Sequence, residues 1–255
     1  PVYFSVQMHG VQAPHLLDCA DISLRGNAQA AALNVAAALR SMEIPQGRLD
    51  GIKLSAASKD LNLAAFTGTV DTTVSVDGSA LVSPDLDRLV KAPATLKAPL
   101  RLSPTAIGFE AATLESASIG GTTSGTYTLD SKTVSANLRL FAVPQILPEA
   151  LSQKIEKTIA VEGYVNAVIG GKTSLENLVV RSDLVEANGN LLLDNGIVQA
   201  KIGGRFLALE KLLANAQGAA GFAVEATGPL ATPDFKASLN SARATMAGRS
   251  LEAFA

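Results

Sequence analysis

Short runs in which every second residue is apolar, each ended by turn residues, recur along this chain from Gly68 onward. Val70, Thr72, Val74 and Val76 alternate with Asp71, Thr73 and Ser75 before Asp77-Gly78 closes the run. Val134, Ala136, Leu138 and Leu140 alternate in the same way with Ser135, Asn137 and Arg139. A period of two puts one set of side chains on a single face of a strand, whereas a helix would scatter them. The pattern predicts half-buried strands with one apolar and one wet face. Asp194-Asn195-Gly196 sits between Leu191-Leu192-Leu193 and Ile197-Val198-Gln199-Ala200, and its Asn-Gly tolerates the positive φ angles of a tight primed turn and predicts a hairpin. Gly120-Gly121, Gly170-Gly171, Asn188-Gly189 and Gly228-Pro229 read as further turns. Strands spaced this closely imply a mainly β, antiparallel architecture.

The composition suits such faces better than a deep core. Apolar residues make up 47% of the 255 positions but aromatics only 4%, with no Trp, so the apolar side is small and aliphatic. Charged residues are only 17%, below the roughly 25% of an ordinary soluble domain. A formal net charge of −2 without a Lys/Arg run offers no surface for nucleic acid, and none is expected as a partner. No stretch reaches the roughly 18 consecutive apolar residues of a membrane helix. Pro1 opens without a Met or a basic segment, which suggests a mature product or an excised piece.

Two regions depart from the strand pattern. Leu147, Leu151, Ile155 and Ile159 recur every fourth residue, with Pro148 and Glu149 suited to a first helical turn, and predict one short amphipathic helix near 147–158. The Ala-rich run 28–39 has high helix propensity, yet Arg25-Gly26 before it and Pro45-Gln46-Gly47 after it also fit two strands.

The chain repeats itself. Leu114, Gly125, Asp130, Val134, Ala136 and Leu138 are matched, each 64 residues later by subtraction, by Leu178, Gly189, Asp194, Val198, Ala200 and Ile202. Gly78-Ser79-Ala80-Leu81-Val82-Ser83-Pro84-Asp85-Leu86 is similarly echoed by Gly228-Pro229-Leu230-Ala231-Thr232-Pro233-Asp234-Phe235. A repeated strand unit cannot bury its apolar stripe alone, so neighbours stack into one continuous, elongated sheet over 1–255, with loose sub-units 1–146 and 147–255.

The recurring phrase of Gly, strand residues, Gly, Pro and then Asp beside an apolar residue, at 68–86 and 221–235, resembles the repeat of the TamB/AsmA-like family of diderm bacteria. Leu49-Asp50-Gly51-Ile52-Lys53-Leu54 and Leu175-Glu176-Asn177-Leu178-Val179-Val180, each read as a turn into an alternating strand, resemble it too. The resemblance implies a U-shaped sheet, the β-taco, enclosing an apolar groove. It further implies a periplasmic location in a full-length protein anchored in the bacterial inner membrane. Phospholipid acyl chains are the implied cargo, and outer-membrane biogenesis and protein assembly with an Omp85-type partner the implied setting, through parts not present in this chain. The walls of such a groove fall to Ile52, Leu54, Val70, Val74, Val76, Val134, Leu138, Leu140, Leu191, Leu193, Phe222 and Val224.

Nothing in the sequence assembles a catalytic, cofactor or metal site. His9, His15, Asp18 and Cys19 cluster near one end but lack the pair spacing of a zinc site, and sequence neighbours rarely provide the geometry of a nucleophilic pair. Cys19, the lone cysteine, reads as a free, buried thiol. Gly170-Gly171-Lys172-Thr173 ends like a phosphate-binding loop, but position 166 is Asn and a strand pattern follows, so it reads as a hairpin turn, as does the Gly-rich 120–125. Carboxylates such as Asp85 and Asp87 read as solvated strand ends. The expectation is a non-enzymatic, lipid-conducting segment. A structural β-solenoid or adhesin segment with a closed core is the alternative; an outer-membrane barrel would need aromatic girdles that three Tyr and no Trp do not provide.

Overall fold

Period-two patterning produces strands almost throughout the computed structural model, which describes residues 3–8, 17–44, 47–81, 88, 91–246 and 249–251. The chain divides into two units, Pro1–Lys132 and Thr133–Ala255. The first holds β1 (Tyr3–Met8), β2 (Leu17–Asn27), β3 (Ala30–Ile44), β4 (Gly47–Leu61), β5 (Gly68–Val76), β6 (Gly78–Leu81), β7 (Ala94–Leu102), β8 (Ala106–Ser116) and β9 (Ile119–Thr128). The second holds β10 (Thr133–Ala142), β11 (Ile159–Val168), β12 (Thr173–Arg181), β13 (Val185–Asp194), β14 (Ile197–Phe206), β15 (Ala216–Pro229), β16 (Asp234–Met246) and β17 (Arg249–Leu251).

Within each unit every strand pairs antiparallel with its neighbour in sequence, except that β5 and β6 lie end to end along β4 and β5 then passes to β7. The sheets are open meanders: among the described residues no pairing joins β1 to β9, or β10 to β17. No helix there is long and apolar enough to cross a membrane.

The Asn-Gly hairpin is as expected. Asp194 faces Ile197 across Asn195 (φ 47°) and Gly196 (φ 75°), the positive pair a primed turn requires. The Ala-rich segment is strand, not helix. Asn27 caps the turn ahead of β3, its Oδ1 accepting from the amides of Gln29 (2.9 Å) and Ala30 (3.0 Å), and ladders on both sides of β3 then outweigh alanine's helix propensity.

The expected helix shrinks to one turn. A 3-10 turn at Pro144–Ile146 precedes α1, Glu149–Ser152; Ile155 follows it and Ile159 already opens β11. Ile155 and Ile159 are buried by the loop folding over the strand ends, so the four-residue apolar spacing reflects a packed connection. A further helical turn, α2, spans Leu209–Leu212.

Two presumed turns lie inside strands. Gly120-Gly121 belongs to β9 and Asn188-Gly189 to β13; a side chain at Gly189 would run into the Lys201 carbonyl oxygen and lie 2.9 Å from Ile202 Cα. Close approach of the paired strand, not chain reversal, is what glycine serves there. Likewise Leu49–Leu54 and Leu175–Val180 sit within β4 and β12, where Gly51 (φ 62°) and Asn177 (φ 52°) kink a continuing strand.

Irregularities recur with the repeat. An extra residue bulges β4, β8, β12 and β16, between the register points 58–61, 109–112, 175–178 and 240–243. Ser116-x-x-Ile119 and Ser182-x-x-Val185 then turn β8 into β9 and β12 into β13, the serine Oγ accepting the amide of the later residue at 3.0 Å in both. Bulge, serine turn and the strand after them (β9, β13) recur 66 residues apart, whereas the next strand (β10, β14) recurs at 64, because the turn at 129–132 is two residues longer than that at 195–196. The sequence period therefore corresponds to a four-strand structural unit.

Much of the buried part of the second unit gathers at one end of its strands, with Ala136, Val198 and Ala226 buried elsewhere in the sheet. At that end the connections 143–158 and 207–215 fold over, burying Ala142, Pro144, Ile155, Leu184, Leu209 and Ala216. Leu209, Ala216 and Ala220 form a cluster with Phe206 and Leu212. In the first unit Ala31, Leu61 and Val70 pack with Leu24, Leu33 and Leu100.

His9, His15, Pro45-Gln46, Val82–Leu86 and Asp87 lie outside the described residues.

Candidate functional site: one apolar face in each unit

Residues directly opposite across an antiparallel ladder share a face, and the registers sort the twelve candidate residues without exception. In the first unit Ala37, Leu54, Val74, Leu96 and Leu114 form one transverse row, and Val70, Leu100 and Phe109 another. Ile52 lies two residues from Leu54 on the same side of β4, and Val76 two from Val74 on β5. In the second unit Leu140, Val161, Val180, Ala187, Gly204 and Phe222 run across six strands. Val165, Leu175, Leu191 and Ala200 follow Ala136 in a second such row, and Ile202 and Val224 follow Gly189 in a third. Val134, Leu138 and Leu193 fall on that face as well.

The opposite face is polar. Glu162, Arg181, Glu186 and Arg205 form a row of alternating charge, with Arg181 Nη1 3.7 Å from Glu162 and Arg205 donating to Glu186 at 2.6 and 2.9 Å. Lys201 lies 3.1 Å from Glu225, beside Lys236 in register. Such exposed pairs are worth only about 0–1 kcal/mol each and serve chiefly to keep that face in water.

The apolar faces are covered only in part. Of the twelve, Ile52 and Val70 are buried and the others half-buried. Among the described residues, half of the sixteen buried hydrophobic ones are alanine, and the most buried large side chain, Leu184, belongs to the capped end of the second unit. Leu96 is 41% exposed, and Phe235 and Leu239, which continue the rows onto β16, are 68% and 48% exposed. Large aliphatic side chains that keep this much exposure do not seal a core.

Shallow hollows of about 390 and 380 Å³ lie on the polar side of β12–β15, around Arg181, Glu186 and Arg205 and around Glu176, Asn190 and Lys201. A third, about 320 Å³, is lined by Cys19, Ala36, Lys53 and Ser75. No family model, curated protein or solved structure matches this chain.

Cys19 corrects an expectation: it is exposed, not buried. Pairing with Ala38, itself opposite Lys53, puts it on the polar face, while its neighbour Ala20 takes the buried position. Among the described residues no three His, Cys, Asp or Glu are placed to hold a metal. Gly170-Gly171 forms the hairpin loop before β12, with Val168 donating to the Lys172 carbonyl at 2.8 Å, so no helix N-terminus exists there to receive phosphate.

A dense polar cluster around Lys211 was not anticipated. Lys211 Nζ reaches Asp183 at 2.8 Å and Glu156 at 3.0 Å, Glu156 donates its amide to Asp183 at 3.3 Å, and Lys154 Nζ donates to the Lys211 carbonyl at 2.5 Å. The Lys211 hydrogen bond holds the Asp183 carboxyl below its ordinary pKa, and Asp183 and Glu156 raise that of Lys211. Lys211 lies 55, 57 and 28 residues from Glu156, Lys154 and Asp183, and the group joins only when three connections, 143–158, 182–184 and 207–215, meet at the same strand ends, so no local motif announces it. The cluster pins the cap of the sheet and presents no free nucleophile or base.

Proposed function

We propose that this chain is an internal segment of a TamB/AsmA-like periplasmic bridge, and that its apolar faces form a groove for phospholipid acyl chains. The observation that carries the reading is that the twelve apolar candidates fall on one face per unit and that ten of them remain incompletely covered. Each methylene withdrawn from water onto such a face gains about 0.8 kcal/mol, so a two-chain lipid is held firmly. Small side chains in near-equivalent rows let it slide rather than lock. The full-length protein is anchored in the inner membrane, and the Omp85-type partner engages other parts of it. A sealed β-solenoid or adhesin core fits less well, because large side chains on these faces stay half-exposed.

The test is extraction of purified protein and mass spectrometry of what it carries, beside Leu138→Glu and Val224→Glu. Retained diacyl phospholipid, lost in both variants while the circular dichroism stays unchanged, supports the groove. Lipid-free protein, or lipid retained equally by the variants, overturns it.

A further inference from the structure

We propose that the hollow on the polar face of β12–β15 is a saccharide site, which takes one ring of a neutral, extended β-1,4-linked glycan. It lies on the side of the sheet turned away from the apolar rows and does not depend on the lipid reading. Its volume of about 380 Å³ falls within the roughly 300–1,000 Å³ of small-ligand sites. Direct cross-strand pairing lays Ser174, Leu192, Gln199 and Thr227 across it in one row, with Asn190, Lys201 and Glu225 in the next. In β12 the bulge between Leu175 and Leu178 interrupts that second row and sets Glu176 in the wall of the hollow, as bulges re-aim side chains. The Asn177 amide, in the same bulge, donates to Asn190 Oδ1 at 2.9 Å and holds that side chain in place.

The side chains specify what fits. Lys172 and Lys201 balance Glu176 and Glu225, so the hollow has no net charge to draw an ion. Lys201 Nζ already lies 3.1 Å from Glu225, and Ser174 Oγ donates to Glu176 at 3.0 Å. What stays open is neutral: the Gln199 amide and the Thr227 hydroxyl have no side-chain partner among the described residues. Amides and hydroxyls both donate and accept, which is what the hydroxyl groups of a sugar require. Leu192 departs from the alternation, since Leu191 and Leu193 belong to the apolar face and the residue between them is turned to the polar one. Half-buried between Ser174 and Gln199, it offers an aliphatic surface to the C–H face of a pyranose ring. One strand further, Tyr164 stands opposite Glu176 on the same side of the sheet. Successive residues of an extended β-1,4 chain are spaced much as neighbouring strands are, about 4.8 Å apart, so a second ring reaches that tyrosine.

The experiment is titration of the full chain with cellotetraose and with chitotetraose, followed by nuclear magnetic resonance. Saturable shifts of the backbone amides of Asn190, Leu192, Gln199 and Thr227 with either glycan, absent with the open-chain polyol sorbitol, support the site. Gln199→Ala and Thr227→Val alter exposed side chains, so the circular dichroism should stay unchanged while each weakens binding by about three- to tenfold. Asn188→Ala, on the same face outside this hollow, should keep the parent affinity. The absence of a saturable shift with both glycans overturns the proposal, as do equal shifts with sorbitol and undiminished binding by the Gln199 and Thr227 variants.

Discussion

Gly204 is the position where the packing of the proposed groove wall is tested most directly. It faces Phe222 across β14 and β15, and the Phe222 ring, 4.8 Å between centroids from Phe206, lies over it. A Cβ added at Gly204 would run into the Glu186 carbonyl oxygen and lie 2.7 Å from Phe222 Cζ and 2.9 Å from Ala187 Cα. Carbon atoms rest about 3.5–4.0 Å apart, so ring and strand must each yield by roughly 0.6–1.3 Å. Overpacking of this kind costs about 1–3 kcal/mol. For a unit near this size each kcal/mol lowers the melting temperature by about 3–5 °C. The assay is thermal unfolding of Gly204→Ala, Phe222→Ala and the double variant by circular dichroism. Removing the ring relieves one clash but not the backbone one, so the double variant should be more stable than the summed costs by about 1 kcal/mol. Parent-like stability of Gly204→Ala, or strict additivity of the pair, would refute the assigned packing.

Gly196→Ala should cost about 1–2 kcal/mol although open space surrounds the site, because the whole penalty is the φ of 75°; denaturant unfolding checks it. Ser182→Ala removes acceptor contacts to the amides of Leu184 and Val185 and should cost about 0.5–1.5 kcal/mol, read in the same way. Asp183 titrates below about 3.9 when folded, so its contribution is complete above that pH and is lost as pH falls through the lower folded value; Asp183→Asn should flatten this acid limb in pH-dependent melts. Lys211, raised when folded, should lose its contribution as pH climbs above about 10.4, a limb absent in Lys211→Met. Cys19, exposed beside β3, should react with a thiol reagent in native protein as fast as after unfolding, and protection in the native state would contradict its placement.

Alternation and one Asn-Gly pair were enough to read strand type, face and one hairpin, because period and positive-φ tolerance are local properties of a few residues. All twelve face residues were legible for the same reason: parity within a strand survives any register that pairs strands directly. Glycine misled at Gly120-Gly121 and Asn188-Gly189, since chain reversal and close strand approach call for the same missing Cβ, and only the neighbouring strand distinguishes them. Apolar spacing misled at 147–158, where Ile155 and Ile159 were buried by a loop folding over strand ends. The Lys211, Asp183 and Glu156 cluster and the outward face of Cys19 had no sequence signal at all. Composition and period thus determined by themselves that the chain makes two-faced antiparallel sheet. Tertiary structure alone decided which glycines sit inside strands and which end of the second unit is capped, because those follow from pairing between residues far apart in the chain.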